Sequence, residues 1–144
     1  MSIFLMQPTF LPWIGFFDMV DYADKIILLD DVEFSKGSWV NRNRIKTKKG
    51  LEWLTIPILK NSNKKLIKDL QIFKKENTLK KLENTIIQNY SNSNFFDLYK
   101  NEFFQILTNK FNEGNLCNLN KEIILWILKI LNIKKKIYLS SELK

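Results

Sequence analysis

Ile3-Phe4-Leu5-Met6-Gln7-Pro8, then Pro12-Trp13 running on to Asp24, then Lys25-Ile26-Ile27-Leu28-Leu29-Asp30-Asp31, is the stretch that decides the fold. Ile3–Met6 is a continuous apolar run ended by Gln7-Pro8, as expected of a strand buried on both faces. Pro12 suits the first turn of a helix, where its missing N–H would have no partner anyway. Trp13, Phe16, Phe17 and Val20 follow at helical spacing, and Lys25–Asp30 repeats the strand pattern. Strand, short helix, strand is a βαβ unit, with a right-handed crossover and parallel strands.

Outward from this unit, a loop through Lys36-Gly37-Ser38 leads to Trp39–Thr47 and Leu51–Leu59, which flank Lys48-Lys49-Gly50 as a β-hairpin. Pro57 cannot donate a ladder hydrogen bond, which puts that end of the second strand at an edge. After the polar stretch Lys60–Lys65, Leu66–Phe73 predicts another strand. Two apolar stripes follow, one through Leu79, Leu82, Ile86 and Tyr90 and one through Phe95, Tyr99, Phe103 and Ile106. A third helix is expected to start near Asn120, and Ile137–Ser140 reads as a returning strand. The expectation is a single α/β domain over residues 1–144: a small, mostly parallel sheet and a hairpin, with a helical layer of about three helices. Residues 1–75 would carry the site, and 76–144 would be mainly helical with a last short strand.

Composition narrows the chemistry. The chain has 144 residues, 45% apolar and 26% charged, the balance of a globular protein with one core. Histidine is absent, which excludes Ser-His-Asp and Cys-His nucleophile systems and any histidine-ligated metal. With Cys117 alone, neither an internal disulfide nor a thiolate zinc site can form, and no haem is expected either. The longest apolar run, Ile123–Leu128, is far short of the roughly 20 residues that span a bilayer. With no signal-peptide pattern and a single thiol, a cytoplasmic location is expected. The net charge of +8 arises almost wholly after residue 60 and is carried by lysine, which reads as solvated helix faces. Nucleic acid is a disfavoured partner, because its readers use arginine for bidentate contacts.

Both arginines, Arg42 and Arg44, stand in the first half. In open α/β sheets ligands bind beyond the carboxyl ends of the strands. Those ends are Gln7 and Asp30-Asp31, and the helix N-terminus around Leu11–Trp13 opens on the same edge, where its free N–H groups attract an anion. Asp30 or Asp31 is the candidate proton acceptor or, since hard oxygen ligands suffice, the candidate ligand of Mg²⁺. The plainer alternative is loop capping. Adjacent side chains on an extended segment point opposite ways, so the two would have different tasks. In Asn41-Arg42-Asn43-Arg44 the arginines share one strand face, roughly 6.5–7 Å apart, and can clamp a phosphate or carboxylate. Surface ion pairs are the alternative. Trp39 and Trp53 suit stacking on a sugar or base, or core packing. Lys36 is a weaker candidate on the loop between the two constellations. Dinucleotide and P-loop glycine motifs are absent.

Gln7-Pro8-Thr9-Phe10-Leu11-Pro12-Trp13-Ile14-Gly15-Phe16-Phe17-Asp18 resembles the opening motif of the WbqC-like family. Leu29–Trp39, Asn41-Arg42-Asn43-Arg44-Ile45-Lys46 and Trp53-Leu54-Thr55-Ile56-Pro57 are similar to its next motifs, in the same order and spacing. Leu139-Ser140-Ser141-Glu142-Leu143 is similar to a later strand end. The resemblance implies a role in bacterial O-antigen, lipopolysaccharide or other surface-polysaccharide biosynthesis. It further implies a transferase or amide-forming ligase that modifies the amine of a nucleotide-linked amino-sugar with an amino acid or acyl donor. The candidate substrate-binding residues are then Gln7, Pro8, Trp13, Lys36, Trp39, Asn41, Arg42, Asn43 and Arg44, and the catalytic ones Asp30 and Asp31. Many members carry His before the Gln-Pro pair, where this chain has Met6. Members also run on beyond the Ser-Ser-Glu-Leu stretch, so a second chain supplying a missing C-terminal part is an expected partner. The rivals are a non-catalytic or split subunit and a basic nucleic-acid-binding domain.

Overall fold

Parallel pairing joins β1 (Ile3–Met6) to β2 (Lys25–Leu28), Met6 opposite Leu28, and β5 (Ile137–Leu139) pairs in parallel with the other edge of β2. The computed structural model of the chain describes residues 1–143; Lys144, the last residue of the expected domain, lies outside the described residues. Helix α1 (Ile14–Tyr22) is the crossover between β1 and β2, so the βαβ unit forms as its sequence pattern requires. Phe16, Phe17 and Val20 of α1 bury against Ile26, Leu28 and Leu139 of the sheet. Phe4 meets Phe16 edge-on at 5.3 Å.

The expected burial of β1 on both faces is not met. Phe4 and Met6 pack into the core, whereas Ile3 and Leu5 stand 47% and 54% exposed. A short apolar run looks the same whether one face of the strand is covered or both.

The hairpin consists of β3 (Arg42–Thr47) and β4 (Gly50–Thr55), antiparallel, with Arg42 opposite Thr55 and Arg44 opposite Trp53. Trp39 to Asn41 form a turn before it rather than its first strand residues, and Pro57 lies past its end. Leu66–Phe73 is not a strand. It makes only single-residue bridges, Leu66 to Glu33, Gln71 to Asn115 and Ile72 to Ile58, around a short 3₁₀ turn at Ile67–Asp69. Three different partners for one apolar segment bury Ile67, Leu70 and Ile72 without a ladder.

Three further helices complete the chain: α2 (Thr78–Tyr90), α3 (Phe96–Glu113) and α4 (Leu116–Ile130). Helix α4 starts earlier than expected because Asn115, not a residue near 120, is its N-cap. The Asn115 carboxamide oxygen accepts from the Asn118 N–H at 2.9 Å, and its Nδ2 donates to the Lys68 carbonyl at 2.8 Å. The α4 side chains serve two apolar clusters at once. Ile123 packs with Leu107, Leu116 and Leu119 beneath the hairpin half, while Ile124 and Leu128 close the core over the parallel sheet. Cys117 is buried in the first turn of α4, where burial and then the nearby Asp30 charge push its thiol pKa up to about 12. Among the described residues no helix is long and apolar enough to cross a membrane.

Asn115→Ala removes a cap and a tie to the segment before α2. It should cost about 1 kcal/mol in urea unfolding, the usual scale for a lost N-cap. Unchanged stability would show that α4 does not depend on this residue.

Candidate functional site

The loop from Gln7 to Trp13 crosses the carboxyl end of β1, and three distant groups hold it there. Asn120 of α4, wholly buried, donates from Nδ2 to the Pro8 carbonyl at 2.9 Å and to the Val40 carbonyl at 2.8 Å. The Phe10 N–H donates to the Trp39 carbonyl at 3.1 Å. Asn43 Nδ2 donates to the carbonyls of Phe10, at 3.2 Å, and Leu11, while its Oδ1 accepts from the Arg44 N–H at 2.7 Å. Leu11 has φ of 48°, a left-handed conformation that leucine rarely adopts, and Asn43 fastens its carbonyl there. Asn41 is similarly committed, its Nδ2 donating to the Ile56 carbonyl at 3.0 Å. The amides of Asn41 and Asn43 therefore hold backbone, and the Pro8 carbonyl is itself held by the Asn120 side chain. Sequence reasoning missed Asn120. Its signal was an amide on the apolar face of a helix, between Leu119 and Ile123, where a polar group needs partners.

Arg42 and Arg44 lie against exposed tryptophans. The Trp39 and Trp53 rings are 5.2 Å apart, with Trp39 43% and Trp53 46% exposed, so neither is a core side chain. The Arg42 guanidinium carbon is 4.1 Å from the Trp53 ring centre, and that of Arg44 is 5.3 Å from Trp53 and 5.7 Å from Trp39. Among the described residues neither arginine pairs with a carboxylate, which overturns the surface ion-pair alternative. Arg42 also donates from Nη2 to the Gly37 carbonyl at 2.6 Å. Gly37 has φ of 87°, and a Cβ there would lie 3.2 Å from the same guanidinium nitrogen.

Two cavities open along this segment. One, of about 490 Å³, is bounded by Met6, Gln7, Thr9, Trp13, Trp39 and Asn43 at the strand end. The Trp13 indole folds over Gly15, where a Cβ would lie 2.7 Å from its Nε1, so the small residue sets the position of the ring. The second cavity, of about 560 Å³, is lined by Lys36, Arg42 and Lys60 together with Asn41, Asn61 and Ser62, and by no acidic side chain. Gln7, Trp13, Trp39 and Asn43 thus come together in one, Lys36, Asn41 and Arg42 in the other. Arg44 lines neither. Asp30 and Asp31 also lie outside both.

The two aspartates meet instead at Ser140. Strand β2 ends at Leu28 and the chain bends at Asp31 and Val32, so the expected opposite orientation of the two carboxylates does not occur. The Ser140 hydroxyl faces Asp30 Oδ1 at 3.0 Å and also Asp31 Oδ1; its single proton serves one of them at a time. Ser141 donates to Asp30 from its N–H at 2.9 Å and from its hydroxyl at 2.7 Å. Burial disfavours the Asp30 carboxylate, but the hydrogen bonds from Ser141 and Ser140 outweigh it and hold its pKa below the ordinary value. Asp30 is 1% exposed and clips the end of β5 to the end of β2, whereas Asp31 is partly open to solvent. Among the described residues no three Asp, Glu or Cys side chains gather in a metal-binding arrangement.

A braced loop at the edge of the parallel sheet thus stands beside exposed tryptophans, arginines without a carboxylate partner among the described residues, and two cavities. The chain belongs to the WbqC-like protein family, which it matches over residues 7–144. It is similar to the uncharacterized protein Rv1507c of Mycobacterium tuberculosis, 43% identical over 57 residues, an alignment covering 40% of this chain and 25% of that protein. The match thus spans about a quarter of the length of the curated relative. No solved structure matches.

The unfolded chain binds the Asp30 proton more readily than the folded one. The stability it contributes is therefore complete above the ordinary carboxylate pKa and lost as pH falls through the lowered folded value. Asp30→Asn should accordingly be most destabilising near neutrality, with the gap from the native protein closing in acid. A gap in unfolding free energy that stays constant from about pH 6 to pH 2 would show that the carboxylate charge is not what the serines hold.

Proposed function

We propose that the protein is a transferase or amide-forming ligase of bacterial O-antigen or other surface-polysaccharide biosynthesis. It would bind a nucleotide-linked amino-sugar and acylate or aminoacylate the sugar amine. The observation that carries this reading is the cavity lined by Lys36, Arg42 and Lys60 with no acid. Successive residues of the 36–43 segment line this cavity and the strand-end one, so a ligand laid along the segment meets both. A diphosphate fits the cationic cavity, since Arg42 offers a planar donor array already oriented by Gly37 and Trp53. The sugar would lie at the strand end, stacked on Trp39 or Trp13 and oriented by Gln7.

Amide formation requires the sugar amine to attack an acyl carbon and give up a proton as the donor's leaving group departs. With no histidine in the chain, the partly exposed Asp31, which lines neither cavity, is the candidate acceptor of that proton by way of solvent, and the hydrogen-bonded Asp30 positions it through Ser140. Mg²⁺ is a candidate co-ligand of the diphosphate, because it commonly takes one or two carboxylates with phosphate oxygens.

Exposure of Ile3 and Leu5 favours a second reading, a subunit completed by another chain, because parallel sheets are ordinarily covered on both faces. On that reading the isolated chain binds no nucleotide-sugar until the second chain is added.

Calorimetric titration with nucleoside-diphosphate amino-sugars tests the first reading. Arg42→Lys should weaken binding by about 1–3 kcal/mol, the scale of a hydrogen bond to a charged group. Lys36→Ala should also weaken it while moving unfolding stability by less than about 0.5 kcal/mol, as for an ordinary surface change. Equal affinity in the native protein and both variants would remove the anion site. Asp31→Asn should keep the ligand and lose product formation; retained turnover would take this carboxylate out of the reaction.

A further inference from the structure

A third cavity, of about 470 Å³, lies between the hairpin and the helical layer. Its walls include Tyr90 at the end of α2, Phe96, Tyr99 and Phe103 of α3, and Trp126 of α4, with Arg44 of β3 at one side. The wall is well supported: the Phe103 and Trp126 rings are 5.4 Å apart, Tyr99 meets Trp126 edge-on at 6.3 Å, and the Tyr90 hydroxyl accepts from the Lys46 N–H at 3.0 Å. Helices packed for stability alone close such space, since interiors are filled to the density of organic crystals. Here aromatic groups from three helices leave a ligand-sized opening instead.

The charge of the lining itself is one-sided, with Asp97 beside Lys100 and Glu102 beside Trp126 outside it. Arg44 and Lys100 are the charged lining residues, and no acid is among them. Lys100 is paired with Asp97, so Arg44 is the cation left to a ligand. Asn43 and Arg44 are consecutive, and Asn43 lines both this cavity and the strand-end cavity. The two openings therefore adjoin across a single residue whose amide is already spent on Phe10 and Leu11.

We infer that this aromatic cavity is a second ligand site, taking an amphipathic anion: an apolar acyl group among the rings with a carboxylate head on Arg44. Identifying that ligand with the acyl group transferred rests on the reading above and on a nucleoside triphosphate that first activates the carboxylate, so that a phosphate or nucleoside monophosphate leaves as the sugar amine attacks; binding at the site rests on neither. An acyl donor here and an amino-sugar at the strand end would approach each other across Asn43.

Decanoate, decanol and acetate are suitable probes, titrated calorimetrically into the full chain. Decanoate should bind, decanol at least fivefold more weakly, and acetate not at all. Arg44→Gln should bring decanoate down to the affinity of decanol and leave decanol unchanged, while Ile86→Trp, which fills the cavity from α2, should abolish both. A diazirine analogue of decanoate on the native protein covers the case in which Ile86→Trp does not fold. Crosslinks should fall on peptides of α2, α3 and α4 and be competed by decanoate. Equal affinities of acid and alcohol for the native protein, no binding of either, or crosslinks only outside these walls would overturn the proposal. Loss of nucleotide-sugar binding with decanoate binding intact would instead defeat the transferase reading alone.

Discussion

Two buried carbonyls, those of Pro8 and Val40, belong to no strand or helix, and a single buried carboxamide satisfies both. A buried carbonyl without a partner costs on the order of 1–3 kcal/mol, so Asn120 does more than fill space. It joins the loop after β1, the turn before β3 and the second turn of α4, three places far apart in the chain. Because α4 also closes both apolar clusters, the site loop is registered against the core rather than against a neighbouring loop. The left-handed Leu11 and the Asn43 contacts then follow from a chain path already set at Pro8. Loops braced in this way present side chains with little freedom left to lose on binding.

The arginines illustrate a different economy of charge. A lysine in their place would be strongly hydrated, whereas the guanidinium plane lies on an indole and keeps its N–H edge available. The cluster of Trp39, Trp53, Arg42 and Arg44 holds two cations in place with no carboxylate paired to them among the described residues. The two arginines line different cavities, Arg42 the polar one and Arg44 the aromatic one.

Much of this was legible in sequence where one period dominates. The βαβ unit, the hairpin and helices α2 and α3 follow from uninterrupted apolar runs and clear stripes. Leu66–Phe73 failed because a run of that length suits a strand or any buried segment, and only its three separate partners decide. The start of α4 was displaced because Asn115 and Asn120 both look like caps, and only one has an oxygen facing a free N–H. The strand-end rule anticipates the meeting of Gln7 with Trp13 at the start of α1, but it also expects Asp30 and Asp31 there, which line neither cavity, and it does not anticipate Trp39. The tasks of Asn41 and Asn43 were not, because their partners Ile56, Phe10 and Leu11 lie 15 to 33 residues away. The meeting of Asp30 and Asp31 at Ser140 depended on where β2 stops, and such boundaries are the least determined part of a pattern.

The burial of Cys117 has a practical side. A thiol with a pKa near 12 and almost no exposure is essentially all protonated at neutral pH, and the thiolate is the form that reacts with alkylating reagents. The chain is thus, in its native sequence, already a background free of competing thiols. A cysteine introduced at an exposed position such as Ser93, on the rim of the aromatic cavity, would take a fluorophore or spin label selectively. Distances and occupancies at that rim become measurable without first removing a residue on which the packing of α4 depends.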